Sequence, residues 1–183
     1  ALEVHHEQGE RGVVRQRDEA LEAVARRLEA ALDAALAANS ADLAHATELG
    51  PAMRDRLLLT PVRYDALVGS VRAVASLPDP LGEERLVAER PNGLRVFRRR
   101  IPLGVVAVVY EARPNVTVEA ASIALRAGNA IVLRGGSEAV RSNTVLADAV
   151  LAGLADAGGW LRAAPVQTRV MQNSDGTTWV GFW

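Results

Sequence analysis

Between Gln16 and Asn39 apolar residues stand at positions 20, 21, 24, 25, 28, 31, 32, 35 and 36, the i, i+3, i+4, i+7 stripe of an amphipathic helix. Glu19, Glu22, Arg26, Arg27, Glu29 and Asp33 mostly take the other face. Asn39-Ser40 reads as a stop for this helix and a cap for a short second one, Ala41 to Leu49, closed by Gly50. A third short helix fits Pro51 to Leu58. Thr60-Pro61 then reads as the N-cap and first-turn proline of a fourth, which reaches about Leu77. The first 77 residues therefore read as all-helical.

Pro78-Asp79-Pro80-Leu81-Gly82 breaks that periodicity. A hairpin is expected next: Arg85 to Arg90, the turn Pro91-Asn92-Gly93, then Leu94 to Arg100, with Asn-Gly supplying positive φ angles. Leu94 and Val96 share one face, and Arg95 and Phe97 the other. The run Arg98-Arg99-Arg100 reads as an edge strand guarded by charge, with an anion site as the alternative. Val105 to Val109 is a continuous β-branched run, as expected of a strand buried on both faces of a parallel sheet. Val116 to Ala127 has helical spacing with Gly128 at C′, Ala130 to Leu133 is a second buried strand, and a helix follows from about Asn143 to Ala157. This order predicts right-handed βαβ winding.

After Gly158-Gly159 the composition changes: the last stretch, Trp160 to Trp183, holds all three tryptophans and only three charged residues. Val166 to Met171 fits a strand, and Asn173 to Thr178 is turn-like. We find no internal repeat.

Over 183 residues, 21 basic groups stand against 22 acidic ones, for a formal charge of -1. That balance argues against a nucleic-acid binder, whose basic face would show in the totals. No run nears the roughly 20 apolar residues of a membrane span, and the start lacks a signal-peptide apolar core, so the expected compartment is cytoplasmic. Every basic residue is Arg, which removes lysine-based phosphate binding and Schiff-base chemistry. There is no Cys, so thiolate nucleophiles, disulfides and cysteine metal sites are excluded for these residues. His5, His6 and His45 form no spaced ligand set, and no metal is expected.

Two strand ends carry the candidate chemistry, because ligands of α/β sheets bind at the carboxyl ends of the strands. The first is Tyr110-Glu111-Ala112-Arg113-Pro114-Asn115-Val116-Thr117. There Asn115 reads either as an N-cap or as an amide donor aimed into the crevice, able to stabilise an oxyanion. The second is Arg134-Gly135-Gly136-Ser137-Glu138, whose glycines allow close backbone approach and whose Arg and Ser suit ribose or phosphate oxygens. It is not G-x-G-x-x-G, and a merely glycine-rich loop is the plain alternative.

The stretches Arg100-Ile-Pro-Leu-Gly-Val-Val-Ala-Val-Val-Tyr-Glu-Ala-Arg-Pro-Asn-Val-Thr-Val118 and Gly128-Asn-Ala-Ile-Val-Leu-Arg-Gly-Gly-Ser-Glu-Ala139, followed by Ser142-Asn143, closely resemble the gamma-glutamyl phosphate reductase (glutamate-5-semialdehyde dehydrogenase) family. Asp55-Arg56-Leu57, Leu77-Pro78-Asp79-Pro80 and Arg90-Pro91-Asn92-Gly93-Leu94 also sit in family order, and the similarity spans roughly residues 12 to 158. The resemblance implies an α/β fold of aldehyde dehydrogenase type. Residues 1–82 would form a helical part of the coenzyme domain, 83–100 an oligomerisation-type β-hairpin, and 101–159 a partial Rossmann-like NADP-binding βαβα unit, with 160–183 an atypical tail. It implies NADPH-dependent reduction of L-glutamyl 5-phosphate to glutamate 5-semialdehyde, a step of proline biosynthesis, through a cysteine thioester. Asn115 would be the oxyanion donor, and Arg134, Gly135, Gly136 and Ser137 would hold the adenosine ribose and 2′-phosphate. The implied partners are the small-molecule substrate and a second copy meeting through the hairpin, with no nucleic acid and no membrane.

The family's cysteine segment, later coenzyme-domain strands and final oligomerisation strand have no counterpart here, and residues 160–183 do not follow its pattern. The expectation is thus an N-terminal part, inactive alone. The alternative is a non-catalytic remnant that serves only for subunit association or coenzyme binding.

Overall fold

The structure, a computed structural model, describes the chain over residues 2–158, 170–172 and 178–182, with side chains described for 14–158. Four helices come first: α1 (Leu2–Ala30), α2 (Leu32–His45), α3 (Pro51–Leu57) and α4 (Pro61–Ala75). Thr60 caps α4 as its sequence suggests, its hydroxyl accepting from the Arg63 N–H at 3.2 Å. The expected stop at Asn39-Ser40 is not there: the break falls at Ala31, and α2 runs straight through both residues. Asn39 is fully buried and bonds outward instead, donating to the Leu57 carbonyl at 2.8 Å and accepting from the Leu59 N–H at 2.8 Å. Its polar groups fasten the segment between α3 and α4, so the residue acts as a clamp and not as a cap. Gly50, expected to close the second helix, is instead the N-cap of α3.

The link that follows α4 is pinned by two buried arginines. Arg17 of α1 meets Asp79 at 2.5 Å, and Arg126 reaches Asp18 and the Leu77 carbonyl. Strands β1 (Glu84–Glu89) and β2 (Arg95–Arg99) then form the antiparallel hairpin. Only Gly93 has positive φ at its tip, 83°. Arg90 N–H donates to Leu94 O and Gly93 N–H to Arg90 O, which makes a three-residue loop. Pro91 fixes a negative φ at the first position, so a two-residue turn with two positive φ angles cannot form there. Two arginines of the basic run are paired with acids, Arg99 with Glu84 at 3.6 Å and Arg100 with Glu83 at 3.0 Å, and Arg95 lies over the Phe97 ring.

Strand β3 (Val105–Val109), helix α5 (Asn115–Arg126) and strand β4 (Ala130–Arg134) form the expected βαβ unit, with β3 parallel to β4. Gly128 turns the chain at φ 68°, and Asn129 Oδ1 accepts from the N–H groups of Leu103 and Gly104, fixing the start of β3. A 3-10 turn (Ser137–Ala139) leads into α6 (Val140–Asp156), whose first turn Asp42 caps through the Ser142 N–H at 2.8 Å and hydroxyl at 2.7 Å. Strands β5 (Val170–Gln172) and β6 (Thr178–Phe182) complete a mixed sheet of order β3-β4-β6-β5, with β6 antiparallel to β4. Of the strand expected over Val166–Met171, Val170 and Met171 belong to β5; residues 166–169 and most of the expected turn lie outside the described residues.

The core is shared by helices from both ends of the chain: Leu21, Val24 and Leu28 of α1 pack with Val118 of α5, Leu133 of β4 and Leu146 of α6. All are buried. The expectation that β3 is buried on both faces fails. Val105 and Val109 are 65% and 66% exposed, because β3 is the edge of its sheet among the described residues and the helices cover one face only.

Candidate functional site

Past Val109 the ladder continues one residue, with Tyr110 N–H donating to Arg134 O at 3.0 Å. The chain then turns sharply at Ala112, which is buried at φ 49°, in the left-handed region where a Cβ is unfavourable. The carboxylate of Glu138 accepts from the Ala112 N–H and holds that turn. The loops after β3 and β4 are therefore tied together by a side chain from the second of them. Below the tie, the Tyr110 and Thr117 hydroxyls share a bond at 2.5 Å, and Thr117 Oγ1 donates to Asn143 Oδ1 at 3.1 Å. Burial pushes the Tyr110 phenol up, against a smaller downward pull from Thr117. This tyrosine stays protonated and works as a strut.

Asn115 is the first residue of α5, and Pro114 occupies the capping position with no side-chain cap. The N-cap reading of Asn115 therefore fails. Its Nδ2 donates instead to Glu119 Oε1 at 3.0 Å, one turn along the helix. The amide faces a cleft of about 370 Å³ lined by Asp55, Arg56 and Arg63 from the α3–α4 region and by Arg113, Asn115 and Glu119. Arg134, Gly136 and Ser137 line a different cleft, of about 550 Å³, together with Tyr110, Glu111 and Glu138. Both volumes are in the range of small-molecule sites. The two sets of candidate residues thus share a sheet end but not a cavity, and the turn at Ala112 separates them.

Gly135 and Gly136 have a local explanation. A Cβ on Gly135 would meet the Asn143 amide and, at 3.2 Å, the Tyr110 hydroxyl, and one on Gly136 would strike the Glu138 carboxylate. Their missing side chains make room for their own neighbours. The ties that Glu138 and Asn143 make span 26 residues and carry no local signal, whereas the Asn115–Glu119 bond is an i, i+4 pair that helical spacing could have flagged.

The fold, a projecting hairpin followed by a helix-flanked parallel pair, is of the aldehyde dehydrogenase class. A Bacillus subtilis protein assigned as an aldehyde dehydrogenase aligns with 76% of this chain and 29% of its own at a TM-score of 0.61; at 15% identity this is likeness of fold alone. Within that class the chain matches the gamma-glutamyl phosphate reductases in both sequence and structure. It is 37% identical to the Thermotoga maritima protein of that name over 78% of this chain and 35% of that one, with a TM-score of 0.72. The Saccharomyces cerevisiae counterpart gives 28% identity, 82% and 38% coverage and a TM-score of 0.74. The chain spans a little over a third of the length of these relatives. No family profile matches it. Among the described residues no helix is long and apolar enough to cross a membrane.

Proposed function

We propose that this chain forms the coenzyme side of a cytoplasmic, NADPH-dependent reductase that converts L-glutamyl 5-phosphate to L-glutamate 5-semialdehyde. The observation that carries the reading is the position of Asn115 and of Arg134–Ser137 at the carboxyl ends of two adjacent parallel strands. In this reading the Asn115 amide donates to the oxyanion that develops on the acyl carbon, a preorganised dipole where negative charge appears. The larger cleft fits the ribose end of a dinucleotide: it presents the Arg134 cation and Ser137 hydroxyl to phosphate oxygens, and carboxylates Glu111 and Glu138 to hydroxyl donors. Bound NADPH would supply hydride. The attacking thiolate would come from outside these 183 residues, none of which is Cys.

Titrating the chain with NADPH and NADH tests this assignment. NADPH should bind more tightly, Arg134→Ala should weaken it by about tenfold, as loss of a charge-assisted phosphate contact does, and Ser137→Glu should erase the preference. Equal binding of both coenzymes, or none, overturns the coenzyme assignment. Semialdehyde dehydrogenase turnover by the chain alone would overturn the claim that the nucleophile lies elsewhere.

A further inference from the structure

The cleft behind Asn115 is unevenly charged. Its lining carries three arginines against two acids. Arg63 is spoken for: its guanidinium bonds the Asp55 carboxylate at 2.8 Å and the carbonyls of Asp55 and Leu58 at 2.6 and 3.0 Å. Glu119 holds the Asn115 amide. Among the described residues the Arg56 guanidinium has one hydrogen-bond contact, to the Met53 sulfur at 3.8 Å, which satisfies none of its charge. The Arg113 guanidinium has no hydrogen-bond or ion-pair partner among the described residues, although it lines the same cleft two residues from Asn115. A guanidinium without a partner beside an amide donor is a fork suited to two oxygens of one anion.

We infer that Arg113, assisted by Arg56, is the anion-recognition element of the Asn115 cleft and holds an oxyanion group of the substrate while Asn115 faces its acyl carbon. This deepens the function proposed above and rests on it for the identity of the substrate, an acyl phosphate that also bears a carboxylate. Both groups are planar or tetrahedral arrays of anionic oxygen that a guanidinium bonds in pairs, and the cleft supplies two cations for them. Glu119 sets the opposing term. Its carboxylate holds the Asn115 amide in place and also repels an incoming anion, which keeps the cleft selective for ligands that can use both arginines.

The test uses the 183-residue chain with inorganic phosphate and L-glutamate as separate probes, followed by NMR through the Asn115 side-chain amide and the Arg113 and Arg56 Nε–H signals. Either probe should shift these signals, and the stronger of the two identifies which end of the substrate sits there. Arg113→Ala should weaken that binding about five- to tenfold and Arg113→Lys less, as expected for a charge-assisted but solvent-exposed contact that salt also screens. Glu119→Gln, which keeps an oxygen for Asn115 while removing the negative charge, should tighten it. Arg113 is exposed, so these variants are expected to fold. No response to either probe, or unchanged binding in the Arg113→Ala/Arg56→Ala double variant, overturns the inference. The coenzyme titration reads the other cleft: failure there with anion binding intact would sink the coenzyme assignment and leave this one standing.

Discussion

Asn39 shows how a polar residue misleads when read locally. Its position after an apolar stripe fits a helix terminus, yet the side chain is buried and serves Leu57 and Leu59, with a further bond to Ser142 Oγ at 3.2 Å. Asn39→Ala would leave buried backbone groups without partners, and we expect it to cost about 2–3 kcal/mol in urea denaturation. Tyr64 gives a pH-dependent counterpart. Its hydroxyl donates to Leu28 O at 2.8 Å inside the core, and burial pushes its pKa up to about 12. The unfolded chain releases this proton near pH 10, whereas the native state retains it, so stability is full below pH 10 and falls as pH rises toward 12. Tyr64→Phe should flatten that alkaline decline in denaturation curves taken between these limits. Asn115 belongs with these cases: its place at a helix start allowed both a cap and an amide donor, and the structure removes the cap, with Pro114 in the capping position and Glu119 on the amide.

Helices α1 and α6 approach each other closely where Gly153 stands against the backbone of Ala23 and Val24. A Cβ at Gly153 would drive into the backbone of Val24, including its nitrogen at 2.6 Å, and neither helix axis can give way within a filled core. Gly153→Ala should therefore destabilise by about 1–3 kcal/mol through overpacking. Gly69 in α4 faces open space, so Gly69→Ala should stabilise by about 0.5–1 kcal/mol through helix propensity and lost unfolded-state freedom. Thermal melts of the two variants should move in opposite directions. The elements that were legible in advance, the Thr60-capped α4, the hairpin and the β3–α5–β4 unit, are those whose signals lie within a few residues. The break at Ala31 was not legible because no Gly, Pro or capping side chain marks it; the apolar stripe simply continues. Burial of β3 was misjudged for a related reason. A β-branched run reports that a strand forms, while its exposure depends on which strands stand beside it.

Taken whole, the molecule leaves several large apolar side chains exposed in and around β3 and on the hairpin. Leu103 is 85% exposed ahead of β3, and the hairpin residues Leu86, Val96 and Phe97 are exposed as well. Among the described residues β3 is the edge strand of its sheet, and such an edge together with exposed apolar side chains invites association. We propose that a second copy covers it, consistent with the hairpin's expected role. Sedimentation should then show concentration-dependent self-association. Val105→Lys, which places a charge on the β3 edge, should shift the population toward monomer without lowering thermal stability. A strictly monomeric wild type at high concentration would contradict this.

The hairpin has one more consequence. Its two strands form their ladder with each other, and the polypeptide on either side of it contributes to one common interior: α1 and α4 from before, α5, β4 and α6 from after. Scission of the peptide between Asn92 and Gly93 would therefore cut the covalent thread without parting the halves. Two separately produced pieces, ending and beginning at that bond, should find each other in solution and rebuild the same particle.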